Sequence, residues 1–105
     1  MCPMIKEIFS GKLPTVLKSP TPIALEFCSD ELPDSQRFHS VLEKLTESLH
    51  DRVEIYHVDV NKVPEIKTMY QIKELPAMIL FKDGEPQDKM IGYHSEQEVT
   101  AFLTQ

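Results

Sequence analysis

Pro22-Ile23-Ala24-Leu25-Glu26-Phe27-Cys28-Ser29-Asp30-Glu31-Leu32-Pro33-Asp34-Ser35-Gln36-Arg37-Phe38-His39-Ser40-Val41-Leu42-Glu43-Lys44-Leu45-Thr46-Glu47-Ser48-Leu49 changes period half-way along. Ile23 to Cys28 is an apolar run broken only by Glu26, the make-up of a strand buried on both faces of a sheet. A short polar stretch, Ser29 to Asp34, follows. Phe38, Val41, Leu42, Leu45 and Leu49 then fall at i, i+3, i+4, i+7 and i+11, one stripe of an amphipathic helix over 34–50. Pro33 suits the first turn, where its missing N–H is not needed, and Asp34 favours the positive end of the helix. A strand that opens through a loop into a helix N-terminus is a place to do chemistry. Backbone N–H groups converge there and lower the pKa of a thiol.

The 105 residues suffice for one core, and the reading is a single domain over 1–105. An apolar fraction of 41% and a charged fraction of 27% are those of an ordinary soluble domain. The net charge of −6 argues against nucleic acid or an anionic membrane as partner. No apolar run approaches the ~20 residues of a membrane span. Met1 to Phe9 carries charges inside its apolar part and lacks a small-residue cleavage site, so it does not read as a signal peptide. Two cysteines, Cys2 and Cys28, make no disulfide framework, and a reduced cytoplasmic protein is the expectation.

From the central stretch outward, Ile5 to Phe9 reads as a short edge strand. Leu13, Val16 and Leu17 sketch one or two helical turns stopped by Pro20 and Pro22. On the other side, Val53 to Val60 alternates and is rich in β-branched residues, a strand. Asn61 is placed as the cap of a short helix marked by Val63, Ile66 and Tyr70. Residues 23–60 thus form strand–helix–strand, a parallel unit with a right-handed crossover. Ala77 to Phe81 is an apolar strand, Asp83-Gly84 a hairpin turn, and Lys89 to Gly92 the returning strand. Ser95 and Glu98 make a capping box ahead of a helix whose apolar face is Val99, Phe102 and Leu103. The order β-α-β-α-β-α-β-β-α is an α/β fold, a mixed sheet of four to five strands with helices on both faces.

Element order and several local words resemble the thioredoxin family over nearly the whole chain. Val58-Asp59-Val60-Asn61 with Val63-Pro64-Glu65 is similar to that family's strand-to-helix passage. Ile72-Lys73-Glu74-Leu75-Pro76-Ala77 is similar to the segment carrying its cis-proline, and Leu80 to Glu85 with Ile91-Gly92 to its hairpin. Laid on the pattern without gaps, the two cysteines of the family's Cys-x-x-Cys motif fall on Leu32 and Ser35. The motif reads Leu32-Pro33-Asp34-Ser35. Exchange begins with a thiolate attacking a disulfide and ends with a second thiol resolving the mixed disulfide. Leu32 and Ser35 do neither, so the catalytic positions are empty of catalysts and no cofactor is implied.

The resemblance also implies a shallow groove that holds an extended peptide by strand addition. Its positions here are Leu32, Pro33, Leu75, Pro76, Ile91 and Gly92, with a cis bond expected before Pro76. Asp30, Glu31, Asp34 and Glu74 would ring it with acid, either a solvated rim or one that selects a basic partner. Glu26 stands where the family carries a buried aspartate that moves protons for the cysteines. It is read either as catalytic or as a buried carboxyl paired with His57 on the adjoining strand. His39, His50 and His94 read as solvated, and no spacing of His, Cys or Asp resembles a metal site. Cys28 reads as an apolar filler, with a functional thiol as the other possibility. Three functions follow: a redox-inactive binding or adaptor module for a protein or extended peptide, an atypical oxidoreductase using Cys28 or a partner thiol, or a structural subunit whose contact surface lies elsewhere.

Overall fold

A computed structural model describes residues 6–8, 10–29, 32–49 and 52–105. Its strands are β1 (Lys6–Glu7), β2 (Ile23–Cys28), β3 (Glu54–Asp59), β4 (Ala77–Lys82) and β5 (Glu85–Ile91). Its helices are α1 (Leu13–Leu17), α2 (Pro33–Leu49), α3 (Pro64–Met69) and α4 (Glu96–Leu103). The sheet runs β1-β3-β2-β4-β5. β2 pairs parallel to β3 and antiparallel to β4, so the sheet is mixed. Every residue of β2 is buried, as its apolar run requires of a central strand.

The pleat of β2 sorts its side chains between two cores. Ile23, Leu25 and Phe27 join Leu13 of α1 and Ile66 of α3 on one face. Ala24 joins Phe38, Leu42, Leu45 and Leu49 of α2 with Val99, Phe102 and Leu103 of α4 on the other. Burying a leucine such as Leu42 on that face contributes about 1.5–3 kcal/mol relative to leaving it in water. Glu26 has the parity of Ala24 and therefore points at α2.

Four local expectations are corrected. The edge strand is two residues, extended by the Ile8 N–H donating to the His57 carbonyl at 2.9 Å, while Ile5 and Phe9 lie outside the described residues. Asn61 does not cap α3. The cap position is Val63 without a side-chain bond, and Pro64 begins the helix. The Asn61 side chain instead donates to Ser29 Oγ at 3.1 Å, and its N–H goes to Asp59 Oδ1 at 2.9 Å. β5 begins at Glu85, directly after the turn. Its exposed, polar first half carries no strand pattern, and Pro86 is tolerated because β5 is an edge. Finally, α2 begins at Pro33 itself.

The Asp83-Gly84 turn has φ of 55° and 81° at its two residues, the doubly positive turn that matches strand twist. Glycine is further required at 84 because a Cβ would meet the Leu17 carbonyl oxygen at 3.2 Å. At α4 the capping box is complete: the Glu98 N–H donates to Ser95 Oγ at 3.2 Å and the Ser95 N–H to Glu98 Oε1 at 3.2 Å. That backbone bond, then the His94 side chain and the Ser95 hydroxyl, hold the Glu98 carboxyl below its usual 4.5.

A depressed carboxyl favours the folded state above the usual carboxylate range, and that contribution fades as pH falls through the folded value. Ser95→Ala should cost about 1 kcal/mol in urea unfolding at neutral pH. The Glu98 carboxyl, followed by NMR, should move up only slightly in that variant and stay below 4.5, because the backbone N–H at 95 and His94 still hold it. A Glu98 titration that returned fully to 4.5 would mean that the backbone N–H at 95 does not hold the carboxylate.

Candidate functional site

Glu26 is fully buried in the middle of the sheet. The β2–β3 register sets it beside His57, and its Oε1 lies 3.0 Å from His57 Nδ1. The same Oε1 lies 2.7 Å from Nδ1 of His39, which reaches down from α2. One carboxylate oxygen thus accepts from two imidazoles brought from 13 and 31 residues away. The rings of His39 and His57 meet edge to face with centroids 4.9 Å apart. Burial, the largest influence, pushes the Glu26 carboxyl up. The hydrogen bonds from His39 and then His57, with the electrostatic attraction of those rings, outweigh it and bring the group below its usual 4.5. Glu26 Oε2 is buried with no hydrogen-bond partner among the described residues.

His39 was expected in solvent, and the structure corrects that. The signal is the buried face of α2, which takes in Ser35, Phe38, Leu42 and Thr46 as well as the aliphatic stripe. His39 sits four residues after Ser35, three before Leu42 and seven before Thr46, on the flank of that face. Its outer nitrogen, Nε2, lies 3.5 Å from Glu43 Oε1 one turn further on. A cleft of about 260 Å³ beside the cluster is lined by Cys28, Ser29, Ser35, Gln36, His39, Ser40 and His57. Cys28 is buried in its floor, and its thiol donates toward the Ser35 carbonyl at 3.8 Å.

A second region lies where β2 ends. Phe27 pairs with Ala77 and Ala77 with Ile91, so the end of β2, the start of β4 and the end of β5 lie side by side. Leu32 and Pro33 follow β2, the cis Leu75–Pro76 bond precedes β4, and Gly92 follows β5. The Gly92 N–H donates to the Pro76 carbonyl at 2.7 Å and ties the last two together. Pro76 is buried and Leu75 half-buried, whereas Leu32 is 40% and Ile91 37% exposed. Tyr93, absent from the sequence-based set, is 39% exposed and packs edge-on against Phe38 of α2. Among the expected acids, Asp34 and Glu74 are exposed, while Asp30 and Glu31 lie outside the described residues. Arg37 interrupts the acid: it stacks 4.7 Å over the Tyr93 ring and lies 3.8 Å from Asp34. Ser35 is buried, with its hydroxyl unpartnered among the described residues.

Removing both histidines should leave a buried carboxylate with nothing to hold it. The double variant His39→Ala/His57→Ala should lose about 3–5 kcal/mol at neutral pH. Its loss should exceed the sum of the single variants, because either imidazole alone still serves Oε1. The pH response should also change sign. In the natural protein the Glu26 contribution is present above the usual carboxylate range and is lost as pH falls through the lowered folded value. In the double variant burial acts alone, the carboxyl is raised, and acidification relieves the strain. Additive single effects with parallel pH curves in urea unfolding would refute this account of the cluster.

The thioredoxin family profile matches residues 6–105. A thioredoxin-like protein of Synechocystis sp. is 31% identical over 99 residues, covering 94% of each chain. A thioredoxin of Rickettsia bellii is 26% identical over 88 residues, 84% of each chain. Thioredoxin C-2 of Corynebacterium nephridii is 30% identical over 90 residues, 86% of this chain and 83% of its own. With the mixed five-stranded sheet and its two helical layers, these matches place the chain in the thioredoxin family.

Proposed function

We propose that this thioredoxin-family domain carries out no dithiol exchange and instead binds an extended segment of a protein partner across the surface formed by Leu32, Pro33, Leu75, Pro76, Ile91 and Gly92. The observation that carries this reading is the exposed apolar trio Leu32, Ile91 and Tyr93, which stands where three strand ends converge. The chain has cysteine only at positions 2 and 28, so no Cys-x-x-Cys can form anywhere in it. A leucine at the first motif position turns a reactive spot into an apolar anchor. Binding there uses main-chain hydrogen bonds for affinity and side-chain contacts for selection. Asp34 and Glu74 favour a basic segment, and Arg37 beside Asp34 tempers that preference. A reducing compartment such as the cytoplasm fits a chain without a disulfide framework. No helix among the described residues is long and apolar enough to cross a membrane.

Two other readings have less behind them. An oxidoreductase working through Cys28 needs an accessible thiolate, and Cys28 is 2% exposed. A subunit contact elsewhere would draw on Met69, the most exposed large apolar residue among those described, at the end of α3.

The natural protein should show no insulin reduction with dithiothreitol. Leu32→Cys/Ser35→Cys restores the motif spacing at the start of α2 and should form an intramolecular disulfide with slow turnover, while either single cysteine should not turn over efficiently. Immobilised extended peptides of basic, neutral and acidic composition should be ranked in that order by the natural protein. Leu32→Glu should weaken the tightest of them by about tenfold or more, the scale of one lost apolar anchor. Turnover by the natural protein would overturn the inactive reading. Peptide binding indifferent to Leu32→Glu would overturn the surface.

A further inference from the structure

We propose that Glu26, His39 and His57 form a binding site for a divalent transition-metal ion of the zinc class. One donor atom from each of the three lies within 4.8 Å of the others, and the three residues come from β2, α2 and β3. Two imidazoles and one carboxylate make a three-protein-ligand zinc set that leaves a fourth position open. Imidazole nitrogen selects zinc, cobalt or copper over magnesium and calcium, which take oxygen.

The spacing is close to what an ion needs. Ligand bonds of about 2.0–2.2 Å in a tetrahedron place donor atoms about 3.3 Å apart. Glu26 Oε1 is 2.7 Å from His39 Nδ1 and 3.0 Å from His57 Nδ1, so those two edges need to open by a few tenths of an ångström. The two imidazole donors, within 4.8 Å of each other, close on the ion by side-chain rotation. In the metal-free arrangement the two Nδ1 atoms direct N–H groups at Oε1. An ion takes the place of those protons, which pass to Nε2 of the same rings or to solvent.

Three further features fit a metal site better than a plain hydrogen-bonded triad. Glu26 Oε2 is buried and unpartnered among the described residues, a costly state that a second metal–oxygen bond or a metal-bound water would relieve. His39 Nε2 lies 3.5 Å from Glu43 Oε1, the outer carboxylate that orients a ligating imidazole and raises its basicity. The adjoining cleft of about 260 Å³ gives the fourth ligand, a water, room to sit. His39 and His57 have 32% and 15% of their side chains exposed, which supplies an entry path to a carboxylate that has none.

The test uses chelator-stripped natural protein titrated with Co2+, read by its visible d–d absorption, and with Zn2+ in competition with a chromogenic chelator. One equivalent should bind, with the intense bands of four-coordinate cobalt. His39→Asn and His57→Asn should each weaken Zn2+ by about tenfold or more, and Glu43→Gln by less. His94→Asn and Cys28→Ser should bind as the natural protein does. Zn2+ should raise the melting temperature of the natural protein and leave that of Glu26→Gln unmoved. Circular dichroism confirms the fold of each variant. His39 is about a third exposed and His57 still serves Glu26 without it, so His39→Asn remains readable even if Glu26→Gln does not fold. Absence of saturable binding would overturn the site. So would binding that folded His39→Asn and His57→Asn retain unchanged, or binding that Cys28→Ser abolishes, since the ligand set would then lie elsewhere.

Discussion

A carboxylate with none of its surface in water must be met by donors, and Glu26 sets that condition at the centre of this fold. The sheet supplies one donor by register alone, because pairing β2 parallel to β3 puts His57 beside Glu26. The second comes from outside the sheet, and it fixes more. His39 reaches Oε1 at 2.7 Å only if α2 is turned so that the flank of its apolar face lies over Glu26. The apolar stripe alone tolerates some rotation of a helix over a sheet. A hydrogen bond between two named atoms does not.

That rotation carries through to the surface. Ser35, Phe38 and Leu42 lie on the buried face of α2, and turning them inward points the first turn at the end of β5. Phe38 then meets Tyr93 edge-on, and Arg37 lies over that ring at 4.7 Å. Leu32, one residue ahead of the helix, is left exposed next to the converged strand ends. The polar cluster inside and the apolar surface outside are therefore two consequences of how one helix sits on one strand.

Most of this frame was legible because its signals are local. The apolar run at 23–28 and the stripe from Phe38 to Leu49 are periodicities, and the Ser95/Glu98 box and the Asp83-Gly84 turn are short-range chemistry. Glu26 with His57 could also be reached, since both lie on strands whose pairing follows from the crossover. His39 could not be reached by the same route. Its partner is 13 residues away through a loop, and its position on the edge of the stripe is the same one that solvated histidines occupy. No spacing of His, Cys or Asp along the chain points to this cluster for the same reason: local spacing is informative only when the residues share one helix or one turn. β5 was cut short because an exposed edge strand needs no apolar alternation, and Asn61 was misassigned because the helix starts only at Pro64 and the Asn61 side chain turns to Ser29 instead.

A buried ionic cluster is seldom the most stable way to fill a core. Apolar residues of similar volume commonly do as well or better, because the desolvation of each charge offsets much of the attraction. The same face of the sheet already carries such a core, with Ala24, Leu42, Met78 and Leu80 all fully buried. Stability alone therefore does not account for a carboxylate and two imidazoles at this place. In the thioredoxin pattern a buried acid here serves the thiols, and this chain has no cysteine at either motif position. The cluster keeps one oxygen saturated by two rings while the other has no partner among the described residues, an asymmetry that a closed structural triad has no reason to hold. An ion drawing on both imidazoles and the carboxylate would remove it.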